Sequence, residues 1–73
     1  MIEHYFSMNL SYTKCMDYYH GRYSSIQVTA DSGKTIRFSA HHLRPFISSL
    51  GIRGRFRLIL SNENKFIRLE RVA

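Results

Sequence analysis

A small α+β domain, in which one short helix packs on a strongly bent antiparallel sheet of five strands, is predicted by three features of the sequence. Five segments alternate apolar and polar residues with the period of a half-buried strand. One segment places Tyr12, Cys15, Met16 and Tyr19 at i, i+3, i+4 and i+7, a single helical stripe. Glycines sit at and inside the fourth strand, where they imply curvature. The predicted order is β-α-β-β-turn-β-β, within one domain of 73 residues. A chain this short buries only about 60% of the surface its unfolded form exposes, so nearly every apolar side chain is needed in the core.

The first strand runs from Ile2 to Leu10, with Ile2, His4, Phe6, Met8 and Leu10 on one side. Ser11 is the N-cap of the helix and Gly21 takes the left-handed position after it. At about two and a half turns, this helix needs its stripe packed on the sheet to persist. From Tyr23 to Ala30 the period returns to two, with Ile26, Val28 and Ala30 inward, and Asp31-Ser32-Gly33 makes a tight hairpin. In the partner strand, Thr35 to Ala40, Ile36, Phe38 and Ala40 point in while Arg37 and Ser39 point out. Ser39 then caps a single turn through Leu43, and Pro45 holds Arg44 out of the α region. Leu43 and Phe46 dip into the core, and residues 47–51 connect to the fourth strand.

That strand, Gly51 to Leu60, carries the most unusual chemistry in the chain. Phe56, Leu58 and Leu60 face the core; Arg53, Arg55 and Arg57 face the other way. One apolar and one cationic face suit an antiparallel sheet with one side in water. Gly54 marks a bend, a bulge or a close backbone approach. The last hairpin turns at residues 61–64 into a strand from Lys65 to Val72, with Ile67 and Leu69 inward and Phe66, Arg68 and Glu70 outward. Two registers satisfy this pattern. One sets Arg57 opposite Arg68 and Arg55 opposite Glu70; the other sets Arg57 opposite Glu70. In either, Glu70 neutralises at most one or two arginines, so positive charge is left over on that face. The predicted core is Phe6, Met8, Leu10, Met16, Tyr19, Ile26, Val28, Ile36, Phe38, Leu43, Phe46, Phe56, Leu58, Leu60, Ile67 and Leu69. Together these elements describe an SH3-like or OB-like barrel closed at one end by the helix.

Charge is unevenly placed. Residues 1–33 hold two basic against three acidic side chains, and residues 34–73 hold nine against two, for a net charge of +6. This favours an anionic partner. The outward set Arg37, Arg53, Arg55, Arg57 and Arg68, with Tyr5 or Phe66 beside it, matches the cationic sheet with aromatic platforms on which single strands bind. Guanidinium forks suit phosphate because they donate two bonds at once. RNA or single strands are expected over duplex DNA, since no helix is basic enough to enter a major groove. The alternative is an adaptor that docks an acidic protein, or pairs with itself, through the arginine face or an exposed sheet edge.

Other chemistry is not expected. There is no Ser/His/Asp set, no carboxylate pair and no phosphate-cradling glycine loop, so neither an enzyme nor a cofactor is predicted. His4, His20, His41 and His42 lack metal-ligand spacing, and sequence neighbours such as His41 and His42 are expected to point apart. Cys15, the single cysteine, lies on the helical stripe as a small buried thiol and excludes an internal disulfide, which suits a reducing cytoplasm. No stretch approaches the roughly 18 apolar residues of a membrane span, and the first residues lack a signal-peptide pattern.

Five stretches resemble a family of short, uncharacterised bacterial proteins classed as a domain of unknown function. They are Tyr5-Phe6-Ser7-Met8-Asn9-Leu10-Ser11-Tyr12, Tyr18-Tyr19-His20-Gly21, Leu43-Arg44-Pro45-Phe46, Gly51-Ile52-Arg53-Gly54-Arg55-Phe56-Arg57-Leu58 and Asn64-Lys65-Phe66. The resemblance covers nearly the whole chain. It implies no activity, ligand or catalytic residue.

Overall fold

Alternating segments become strands and the apolar stripe becomes a helix in the computed structural model, which describes residues 1–73. The order is β1 (Ile2–Leu10), α1 (Tyr12–Tyr19), β2 (Ser25–Thr29), β3 (Thr35–Ser39), a 3-10 helix (Ala40–Phe46), β4 (Ile52–Leu60) and β5 (Phe66–Arg71). Ser11 caps α1, its hydroxyl accepting from Lys14 N–H at 3.2 Å, and Gly21 follows the helix at φ 80°. The predicted single turn through Leu43 is instead a 3-10 helix of seven residues that runs on through Pro45 to Phe46, and the Ser39 side chain does not cap it, its hydroxyl lying 2.7 Å from His41 Nδ1. Pro45 is tolerated there because the segment ends one residue later.

The strands form two antiparallel sheets, not one bent sheet of five, and they do not close into a barrel. In one, β4 lies between β1 and β5; in the other, β2 pairs with β3. The hairpin meets the larger sheet at its tip, where Asp31 N–H donates to Tyr5 O at 2.7 Å. Each strand of the hairpin is five residues long.

Packed side chains fill the space between the layers. Phe6 lies with its ring 5.9 Å from Phe56 and 6.2 Å from Phe38, so it joins the two sheets, and Phe46 meets Phe56 edge-on at 5.4 Å. Most of the predicted core is buried or packs against it. Tyr19 and Ile67 are the exceptions, at 47% and 48% exposure. The helix presents Cys15 to the core, with Met16 and Tyr18 beside it. Tyr19, in the last turn, instead lies beneath the Arg44 guanidinium, 5.0 Å from its ring centre. Ile67 is displaced because the β4–β5 ladder slips between Ile59 and Leu60: Leu60 faces Phe66 and Ile59 faces Arg68, leaving Ile67 as the extra residue of a bulge. The same slip turns Phe66, predicted outward, toward the core.

Two glycines shape β4. Gly51 has φ 94°, and a Cβ there would run into Leu10 O and the start of α1. Gly54 has φ 148°, and a Cβ would come within 2.6 Å of Ala73 O, which accepts from Arg55 N–H at 3.1 Å. Of the options its position offered, close backbone approach is the one realised.

Candidate nucleic-acid interface

The outer face of the larger sheet sets Tyr5 and Glu70 on either side of Arg57, and Ser7 opposite Arg55. The second of the two predicted registers is therefore the observed one as far as Ile59, beyond which the bulge at Ile67 shifts it. Arg55 makes a two-pronged ion pair with Asp31 and donates to Ser7 Oγ at 3.0 Å. Arg57 donates from Nε to Glu70 at 2.7 Å, with a second bond from its Nη2, and reaches Glu3 at 3.4 Å. Arg68 Nε lies 3.2 Å from the other oxygen of Glu70. These contacts have electrostatic consequences. Hydrogen bonds from Arg55 hold the Asp31 carboxyl below its ordinary pKa, and the same bonds to Asp31 raise the pKa of Arg55. Hydrogen bonding to Glu70 raises Arg57 further. The expectation that Glu70 alone faces these arginines is corrected, because Asp31 and Glu3 come in from the hairpin tip and β1. Phe66 is not beside them; its ring lies parallel to His42 at 3.5 Å.

Of the five arginines in the predicted site, Arg55, Arg57 and Arg68 are thus engaged by carboxylates, while Arg37 and Arg53 are not. Arg37 donates to Gln27 Oε1 at 3.2 Å across the β2–β3 ladder. Arg53 faces Asn9 and shares a pocket of about 300 Å³ with Arg71, Ser48 and Leu50. With Arg22 placed 3.7 Å from Asp17, every acid except Glu63 has a basic partner. The charge of +6 therefore rests on seven unpaired cations, Lys14, Lys34, Arg37, Arg44, Arg53, Lys65 and Arg71, less Glu63.

Three of the seven line adjoining pockets on the hairpin. Lys14 and Arg37 border one of about 430 Å³ with Tyr18, Tyr23, Ser25 and Gln27. Arg37 also borders the next, about 330 Å³, with Lys34, His4, Thr35 and Asn64. No carboxylate lines either. Tyr18 and Tyr23 lie 5.6 Å apart, and Tyr23 is 51% exposed. The outward phase of Arg37 was legible in its strand. The arrival of Lys14 and Tyr18 beside it was not, because they come from α1 and only the folded chain sets them by the hairpin.

No three His, Cys, Asp or Glu side chains are grouped so as to hold a metal ion. His41 and His42 do not point apart as expected: the tight 3-10 turn brings their rings within 4.0 Å. Burial, with His41 nearby, pushes the pKa of His42 down. Burial pushes the Cys15 thiol up, the reverse of what a nucleophile needs. No helix is long and apolar enough to cross a membrane.

The chain belongs to the family described as a protein of unknown function (DUF2835), whose pattern matches residues 2–72. No curated protein and no solved structure matches it.

Proposed function

We propose that this protein is a non-enzymatic, cytoplasmic accessory protein that binds nucleic acid, RNA or another single strand, along the β2–β3 hairpin. The observation that carries this reading is the track of Lys14, Arg37 and Lys34 along two adjoining pockets without a carboxylate, with Tyr18 and Tyr23 at one end. Cations spaced along a groove follow a phosphate backbone, and an exposed ring offers a π-face to any base. Arg53, with Arg71, offers a second phosphate contact. Arg55, Arg57 and Arg68 would first have to give up their carboxylates, so their part in binding is secondary. Two layers joined at Asp31 and Tyr5 support reading the architecture as an opened relative of the SH3-like or OB-like barrel.

Fluorescence anisotropy with a short labelled RNA tests this. The triple variant Lys14→Gln, Lys34→Gln, Arg37→Gln is expected to bind more weakly and to lower the slope of log K against log salt by up to about 2, near 0.7 per lost phosphate contact. No binding by the wild type at low salt, or equal binding by the folded variant, overturns the reading. The same unpaired cations also suit an acidic protein, the adaptor reading. A pull-down in which the bound material survives nuclease treatment would favour that alternative.

A further inference from the structure

The geometry points to self-association: we propose that two copies of this chain pair antiparallel through the free edge of β5, with the two-fold axis at Leu69, to make a continuous six-stranded sheet. This rests on the strand edge and not on the nucleic-acid reading.

β5 has β4 on one side and no strand on the other. The opposite edge of the sheet, β1, is met by the hairpin tip through Asp31 N–H and Tyr5 O. Because Val72 N–H donates to Arg55 O, ladder alternation directs residues 70 and 72 toward β4, and the N–H and C=O of Leu69 and Arg71 away from it. Exposed edges are usually defended by lysine, proline or a bulge. Here the bulge falls at Ile67, and the stretch from Arg68 to Val72 has neither lysine nor proline; its outward charges, Arg68 and Glu70, are of opposite sign, so they deter other strands without repelling a second copy set antiparallel. An open groove of about 400 Å³ between the 3-10 helix and residues 66–69 leaves space beside the strand.

Charge complementarity selects the occupant and the register. Leu69 is inward and Arg68 and Glu70 are outward, so only pairings that keep inward residues opposite inward residues are allowed. A two-fold at Arg68 would set two arginines face to face, and one at Glu70 would set two glutamates face to face. A two-fold at Leu69 instead places Arg68 opposite Glu70 of the partner subunit, twice by symmetry, so the Arg68–Glu70 pair within each chain is extended across the seam without being given up, and the like-charge contacts a ladder avoids are absent. In that register Leu69 exchanges both backbone hydrogen bonds with Leu69 of the partner subunit. Arg71 then faces Ile67 of the partner subunit, and that isoleucine, half exposed in the single chain, gains cover. One strand edge is a small interface, so the dimer is expected to dissociate on dilution.

Sedimentation of the full chain over a concentration series, with amide hydrogen exchange by NMR, tests this. The expected results are a monomer–dimer equilibrium, and Leu69 and Arg71 amides whose protection grows with concentration while Glu70 is protected throughout. Arg68→Glu, at an exposed position, should weaken the dimer by about tenfold or more through two reversed cross-strand contacts and retain a native circular-dichroism spectrum. If that variant does not fold, the exchange pattern of the wild type decides alone. A wild type that stays monomeric at NMR concentrations overturns the proposal, as does a dimer whose Leu69 and Arg71 amides exchange freely. Undiminished association of folded Arg68→Glu also overturns it.

Discussion

Phe56 is fully buried, with Phe6 stacked on it, Phe46 edge-on, and the Arg71 guanidinium 5.5 Å from its ring centre. No neighbour can close the space its ring leaves without breaking another contact, so Phe56→Ala is expected to cost about 3–5 kcal/mol. In so small a domain that is a large part of the total stability. Urea denaturation should show it as a collapse of the midpoint, whereas exposed Arg53→Ala should shift stability by less than about 0.5 kcal/mol. Gly51→Ala should also destabilise, since it combines an unfavourable φ with a backbone collision at Leu10 O. The phase of Phe56 with Leu58 and Leu60 was readable from the sequence. Ile59 was not: it lies on the arginine side yet is 2% exposed. Being in the central strand, it is flanked by Glu3 and Arg68, whose long stems shield apolar surface.

Among the elements, the docking of the β2–β3 hairpin is the one most open to pH. Asp31 at its tip is paired with Arg55 of β4, and its pKa in the folded state is lower than in the unfolded chain. The pair therefore contributes above the unfolded value and is lost as pH falls through the folded one. Asp31→Asn should flatten the loss of stability below about pH 4, measured by thermal melts across the acid range. His42, in the 3-10 helix, acts at higher pH. Its folded pKa also lies below the unfolded one, so its contribution is whole above the ordinary value of about 6.5 and declines as pH falls through it. His42→Phe keeps the ring against Phe66 and should remove that decline; an unchanged profile between about pH 5 and 7 would show that His42 is not its source.

Over the whole molecule, pairing matters more than composition. Glu70 is shared by Arg57 and Arg68, so Glu70→Gln frees Arg68 and leaves Arg57 only its 3.4 Å contact with Glu3, without touching the hairpin. If nucleic acid follows the hairpin track, the variant should be less stable but should bind short RNA with an unchanged salt slope. A slope steeper by about 0.7 or more would place phosphate on the arginine face instead. Titrating one labelled RNA against wild type and variant in parallel separates the two outcomes.

By itself the sequence determined which residues alternate, where the chain turns and where the helix starts and stops, because those depend on side-chain period and on glycine, serine and proline acting over a few residues. It also limited the β4–β5 pairing to two registers. Tertiary structure decided between them, split the strands into two sheets, and brought Asp31 to Arg55 across 24 residues and Glu3 to Arg57 across 54. Those encounters depend on how the layers pack, which no local pattern encodes. The same packing gave Arg55, Arg57 and Arg68 carboxylate partners and left the unpaired charge spread over Arg53, Arg71 and the cations around the hairpin and the turns.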